Sequence, residues 1–176
     1  MIFSETRLRG AFVVDIEARR DARGLFARTY CRDEFVAAGL PDNFVQCNIS
    51  VNTARGTLRG LHYQAEPRPE GKLVRCTRGA ILDVIVDLRP EAPTYCNWVG
   101  VELSEENSRA LYVPHGFAHG FQTLTEDAVV FYQMTEMYDG ELARGVRWND
   151  RAFGIDWPLA DPILSERDAA YPDFVK

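Results

Sequence analysis

Short stretches in which apolar and polar residues alternate run along most of the chain. Residues 44–51 put Val45, Cys47, Ile49 and Val51 on one face and Gln46, Asn48 and Ser50 on the other. Residues 80–88 repeat the theme, with Ala80, Leu82, Val84, Val86 and Leu88 opposite Ile81, Asp83, Ile85 and Asp87. A period of two is the mark of a β-strand, whose successive side chains point to opposite faces. Further runs at 11–16, 25–31, 57–64, 72–77, 97–103, 109–113, 117–124 and 127–134 predict more strands. Turn signals such as Arg23-Gly24, Arg55-Gly56, Arg78-Gly79 and Arg89-Pro90 fall between them. Helix is expected in two places only: from an N-cap at Asp33 through residues 34–38 to a stop at Gly39, and around residues 165–170. About ten strands with so little helix predict an all-β jelly-roll barrel with short flanking helices, two antiparallel sheets closed around a pocket. No repeat, linker or charge block interrupts residues 1–176, which read as one domain.

Composition narrows what such a barrel can hold. With 46% hydrophobic and 26% charged residues among 176, the chain is of ordinary globular type and long enough to bury a core without a disulfide or metal staple. Twenty basic against 26 acidic residues leave a net charge of −6. Such a chain has no global field to capture nucleic acid or an anionic membrane, so an anionic ligand has to be met by a local basic site. The N-terminal MIFSETRLRG lacks the apolar core of an export signal. The longest greasy stretch, residues 80–88, is broken by Asp83 and Asp87. Cys31, Cys47, Cys76 and Cys96 show no CxxC spacing and read as buried free thiols in a reducing cytoplasm.

The three histidines, at 62, 115 and 119, are where chemistry is to be sought. His62 lies in Thr57-Leu58-Arg59-Gly60-Leu61-His62-Tyr63-Gln64, whose even positions carry Gly60, His62 and Gln64. That polar face matches the one at Gln46, Asn48 and Ser50. Either both faces are simply wet, or they line a barrel interior that binds something polar. Pro114-His115-Gly116-Phe117-Ala118-His119 has the form P-x-G-x-x-H, which resembles the second motif of the cupin superfamily. Metal-dependent cupins carry an H-x-H in the earlier motif, where this chain has only His62 followed by Tyr63 and Gln64. A metal needs three or four convergent ligands, and His62 and His119 supply two, with His115 placed to cap a turn. No metal and no cofactor is expected. Arg59, Lys72 and Arg75, with Arg23 in the turn Asp21-Ala22-Arg23-Gly24, form a basic cluster. Arginine's planar fork suits a diphosphate.

These segments, continued by Gly71-Lys72-Leu73-Val74-Arg75, Phe131-Tyr132, Trp148-Asn149-Asp150 and Ser165-Glu166-Arg167-Asp168, resemble the dTDP-4-dehydrorhamnose 3,5-epimerases over nearly the whole chain. That family consists of metal-free cupin sugar epimerases. The resemblance implies inversion of the carbons flanking the C4 ketone of a nucleotide-linked 4-keto-6-deoxy sugar through an enolate. It implies His62 as base, Asp168 as its partner, Tyr132 as acid on the opposite face and Lys72 at the enolate oxygen. Asp83 is a rival for the partner role. Arg23 and Arg59 would hold the diphosphate, Gln46 and Asn48 the polar rim, His119 the sugar pocket and Tyr138 the pyrimidine, with Arg167 near the substrate. It also implies a homodimer, to which an N-terminal edge strand at 11–16 would contribute. The chain departs from the family pattern at Arg28, His115, Gln133, Met137 and Ala143, which bear on the choice of substrate and on whether one centre or two inverts. A metal-dependent cupin oxygenase or isomerase and a non-catalytic sugar-nucleotide binder are the competing readings.

Overall fold

A computed structural model describes residues 1–175. Its elements, in chain order, are β1 (Ile2–Glu5), β2 (Phe12–Asp15), β3 (Arg19–Asp21), β4 (Gly24–Phe26), α1 (Arg32–Ala37), β5 (Gln46–Asn52), β6 (Leu58–Gln64) and β7 (Lys72–Arg78). They continue with β8 (Ala80–Asp87), β9 (Trp98–Ser104), β10 (Ala110–Val113), β11 (Phe117–Thr123), β12 (Ala128–Met134), β13 (Ala143–Gly145) and α2 (Glu166–Ala169). Six strands form one antiparallel sheet in the order β1-β2-β10-β7-β12-β5, and five form a second in the order β13-β6-β11-β8-β9. The hairpin β3–β4 stands apart. This is the expected jelly roll.

Between the sheets lies the main core. Val74, Leu111 and Val130 enter from the six-stranded sheet and Ile81, Ile85, Leu103, Phe117 and Phe121 from the five-stranded one. Each outer face is also covered in part. Phe35 of α1 is fully buried and packs with Val14, Leu73 and Tyr112 on the back of the first sheet. Val146, Phe153, Trp157 and Phe174 of the C-terminal tail cover Leu61, Val84 and Ala118 on the back of the second. Emptying such a site, for instance by Phe35→Ala, costs about 3–5 kcal/mol. The tail therefore belongs to the fold, and it carries α2 up to the barrel mouth.

Several sequence expectations need correction. Strand structure predicted over 25–31 is confined to Gly24–Phe26, because the following residues leave the ladder and Tyr30 anchors its hydroxyl on the Asp42 carbonyl at 2.7 Å. Asp33 is not the N-cap. Helix α1 starts at Arg32 after Cys31, with no side-chain cap, and Asp33 lies in its first turn. The strand at 11–16 is not an edge, because β1 pairs along it. The six-stranded sheet instead exposes β1 and β5. The cysteines divide: Cys76 and Cys96 are buried, Cys31 is half-buried and Cys47 is exposed. Burial pushes the Cys76 thiol up to about 11, leaving it inert near neutrality.

The candidate active site

A cavity of about 650 Å³ opens between the two sheets. Gln46, Asn48 and Ser50 of β5 line it, while Val45, Ile49 and Val51 on the opposite face are 42–65% exposed. Of the two readings of this alternation, the interior one holds: the strand turns its polar face into the cavity. Gln46 donates to Asn48 at 3.2 Å and accepts the Tyr138 N–H at 3.1 Å, and Asn48 reaches the Met134 sulfur at 3.1 Å.

On β6 the parity of the strand is broken on purpose. His62 pairs with His119 of β11, and Arg59 pairs with Phe121, so Gly60 and Leu61 together face Gly120 alone. An extra residue flips the alternation, so odd Arg59 and even His62 both look into the cavity. Only glycine fits here. A Cβ on Gly60 would sit 2.7 Å from the Gly120 Cα and the His119 carbonyl, and Gly60 has a φ of +117°. A Cβ on Gly120 would sit 2.6 Å from the Arg59 carbonyl.

Two histidine–carboxylate pairs result. His62 Nε2 lies 2.7 Å from Asp168 Oδ1, with the His62 side chain 39% exposed and that of Asp168 5%. Ser165 caps α2 by accepting the Asp168 backbone N–H at 3.1 Å, which turns the carboxylate toward β6, where the Gly60 N–H meets its second oxygen at 3.3 Å. Burial alone would raise the Asp168 carboxyl. The hydrogen bond and charge of His62, with the Gly60 and Ser165 contacts, outweigh it and hold Asp168 below the usual carboxylate range. Asp83 goes elsewhere: its Oδ1 lies 2.7 Å from His119 Nε2. Asp83 is therefore the partner of His119 rather than of His62.

Lys72 enters from β7, almost fully buried, and its ammonium is bonded to Glu70. Tyr132, on β12, lines the same cavity from the six-stranded sheet. Its hydroxyl is pushed above the ordinary phenol range, first by burial and then by the Glu70 charge, with Arg59 opposing. Arg59 donates to Asn52 at 2.7 Å. Arg167 donates to the Tyr171 hydroxyl at 2.9 Å, and Tyr138 stands 57% exposed at the mouth. Within the cavity Lys72 is balanced by Glu70, and the guanidinium groups of Arg59, Arg144 and Arg167 outnumber the remaining lining carboxylate, Asp168, leaving a positive surplus in an acidic protein.

Two expected members lie elsewhere. Arg23 is 90% exposed on the β3–β4 turn and paired with Asp21 at 2.5 Å, outside the residues that line this cavity. Arg75 points to the other side of its strand, donating to the Thr29 carbonyl at 3.2 Å. Among the departures, Ala143 lines the cavity. Arg28 is tied to Glu34 at 2.6 Å, and His115 lies 3.2 Å from the Thr135 hydroxyl. Glu70 and Arg144 were missed. Glu70 precedes its strand in a polar turn, where nothing in its spacing distinguishes it from a surface carboxylate. Among the described residues no group of three or more His, Cys, Asp or Glu is placed to hold a metal ion.

Known proteins share this sequence and fold. The family model for dTDP-4-dehydrorhamnose 3,5-epimerase matches residues 5–176. The chain is 48% identical to the dTDP-4-dehydrorhamnose 3,5-epimerase of Methanothermobacter thermautotrophicus, across 94% of this chain and 90% of that one. It is 40% identical to the dTDP-4-dehydrorhamnose 3-epimerase of Streptomyces niveus, across 92% and 78%. The crystal structure of the Bacillus anthracis 3,5-epimerase with TDP and PPi bound superposes with a TM-score of 0.96 at 41% identity, covering 98% of this chain and 99% of that one.

Proposed function

The chain belongs to the dTDP-4-dehydrorhamnose 3,5-epimerase family, and from that premise we infer that it converts dTDP-4-dehydro-6-deoxyglucose to dTDP-4-dehydrorhamnose by inverting C3 and C5. It is an isomerase of the carbohydrate epimerase class. His62, whose other ring nitrogen is engaged by Asp168, removes the proton α to the C4 ketone, and Lys72 meets the charge that develops on the enolate oxygen. Tyr132 returns a proton on the opposite face. One observation carries this division of labour: His62 and Tyr132 enter the cavity from opposite sheets, so a sugar held between them is reached on both faces.

Arg59 and Arg167 hold the diphosphate, Gln46 and Asn48 the rim, His119 the sugar wall, and Tyr138 stacks on the pyrimidine. The reaction moves protons without net redox change and needs neither metal nor cofactor; turnover that EDTA abolishes and one metal restores would overturn this. The whole chain acts as one catalytic domain in the cytoplasm. No described helix is long and apolar enough to cross a membrane.

The protein works as a homodimer. Support comes from the exposed edge strand β5 with its outward Val45, Ile49 and Val51, and from Phe26, 75% exposed on the hairpin beside Arg23. A second copy would cover these residues and carry Arg23 to a neighbouring diphosphate. Sedimentation should give a dimer at micromolar concentration, and a monomer there overturns the proposal.

Proton NMR in D2O with dTDP-4-dehydro-6-deoxyglucose tests the reaction, because solvent deuterium marks every carbon that is attacked. Deuterium at C3 and C5 with inversion is expected, and none at either carbon refutes the assignment. A single-centre 3-epimerase is the second reading, favoured by the likeness to the Streptomyces niveus protein; it predicts deuterium at C3 alone.

A further inference from the structure

Glu70 is a buried carboxylate of the cavity that takes no part in the proton transfers assigned to His62 and Tyr132. Its side chain is 7% exposed and that of Lys72 9%. One oxygen, Oε1, takes the Lys72 ammonium. The other, Oε2, is buried with no hydrogen-bond partner among the described residues. A carboxylate left half-satisfied in a low-dielectric wall is costly and is retained where its charge does something.

Ionisable groups from several walls surround Lys72 and Tyr132. They are Arg59, His62 and Tyr63 from β6, His119 from β11 backed by Asp83, and Tyr138, Arg144, Arg167 and Asp168 from the segments at the mouth. The β5 wall contributes no ionisable group, its lining residues being Gln46, Asn48, Ile49, Ser50 and Val51. Of the carboxylates, Asp168 is engaged by His62 and Asp83 by His119. Glu70 alone stands beside Lys72.

We propose that Glu70 is the positioning residue for Lys72, holding its ammonium at the cavity wall, charged and in place for the enolate oxygen. This rests on the epimerase reading of the same site. An ammonium buried without an opposite charge gives up its proton more readily, and a neutral amine stabilises an enolate far less. The nearby Tyr132 phenol, which the Glu70 charge helps to keep protonated, benefits from the same carboxylate.

The test measures solvent deuterium exchange and inversion against pH for the full-length protein with dTDP-4-dehydro-6-deoxyglucose. Glu70→Gln keeps shape and removes charge. Above the alkaline limb its kcat should fall about 10- to 100-fold below that of the unaltered protein and recover as pH is lowered toward neutrality, as expected if that limb moves down by about one to two units. KM should stay close to that of the unaltered protein, and exchange and inversion should fall together. A loss that is equal at every pH, or one carried by KM, means Glu70 serves packing only and overturns the proposal. Should Glu70→Gln not fold, Glu70→Asp carries the test, since it keeps the charge one methylene further back. It should give a lower kcat under an unshifted pH profile, and a displaced alkaline limb there overturns the proposal. Unaltered protein that exchanges no deuterium at all refutes the functional reading itself, and this inference with it.

Discussion

Two histidine–carboxylate pairs sit side by side on neighbouring strands, His62 opposite His119 in register, each with the same 2.7 Å bond. Their surroundings differ. The His119–Asp83 pair is closed, with side chains 9% and 0% exposed, and both residues come from adjacent strands of one sheet. The His62–Asp168 pair is open on the histidine side, 39% exposed, and joins the barrel to a short helix 106 residues later in the chain. Identical hydrogen bonds therefore leave one ring accessible and the other enclosed. A ring that exchanges protons with substrate has to be reachable, whereas a ring locked on a buried carboxylate stiffens a wall.

Replacing one histidine at a time should break the symmetry most sharply. His62→Asn should cut deuterium exchange at every carbon by about 10⁴-fold, the upper range for loss of a general base, with the thermal midpoint little changed. His119→Asn should leave exchange within about tenfold of normal, since His62, the proposed base, is still present. Equal losses in the two variants would mean that exposure does not distinguish the pairs.

The next largest effect concerns the group facing the open pair. Tyr132→Phe keeps ring volume and removes the phenol, so inversion should fall by about 10²–10⁴-fold while His62 still exchanges deuterium with retention of configuration. An equal fall in inversion and exchange would show that Tyr132 does not serve the opposite face, and Tyr138 would become the candidate.

Carboxylate deletions should then dissociate stability from activity. Asp83→Ala leaves His119 buried without a partner, which costs about 1–3 kcal/mol, or roughly 2–4 °C in Tm for each kcal/mol at this chain length. Asp168→Ala leaves His62 free to meet water, so it should cost less stability and more turnover. Denaturation midpoints and initial rates on the two variants check this, and the reverse order would sink the distinction.

The same contrast explains what could be read in advance. Asp83, Ile85 and the other odd residues of β8 were visible as a strand face because periodicity is a local property. The three-residue β13 and the four-residue β1 carried too little pattern to be seen. The bulge at Gly60 reverses strand parity, and only a close contact with Gly120 requires it, so a regular period of two does not account for Arg59 and His62 facing the same cavity. Alternation alone left open which face of β5 looks inward; the polar face lines the cavity, and Val45, Ile49 and Val51 are exposed. Family resemblance supplied Asp168, which sequence distance would have hidden. It could not supply Glu70, whose meaning comes from burial beside Lys72.

The smallest expected effect is an acid-side signature of the open pair. In the folded protein Asp168 titrates below its usual range, His62 and its other partners more than offsetting burial. In the unfolded chain it titrates near 3.9. As pH falls, the unfolded state takes up this proton first, so the stabilisation is whole above the unfolded value and is lost as pH drops through the folded one. Asp168→Asn carries no such proton. Its midpoint should lie below that of the unaltered protein at pH 6, and the gap should narrow steadily from about pH 4 downward. Thermal melts of the two proteins between pH 6 and pH 3 measure the gap directly. A gap that is constant across that range would mean that the Asp168 charge contributes nothing to the fold, and that the carboxylate is held below β6 by shape alone.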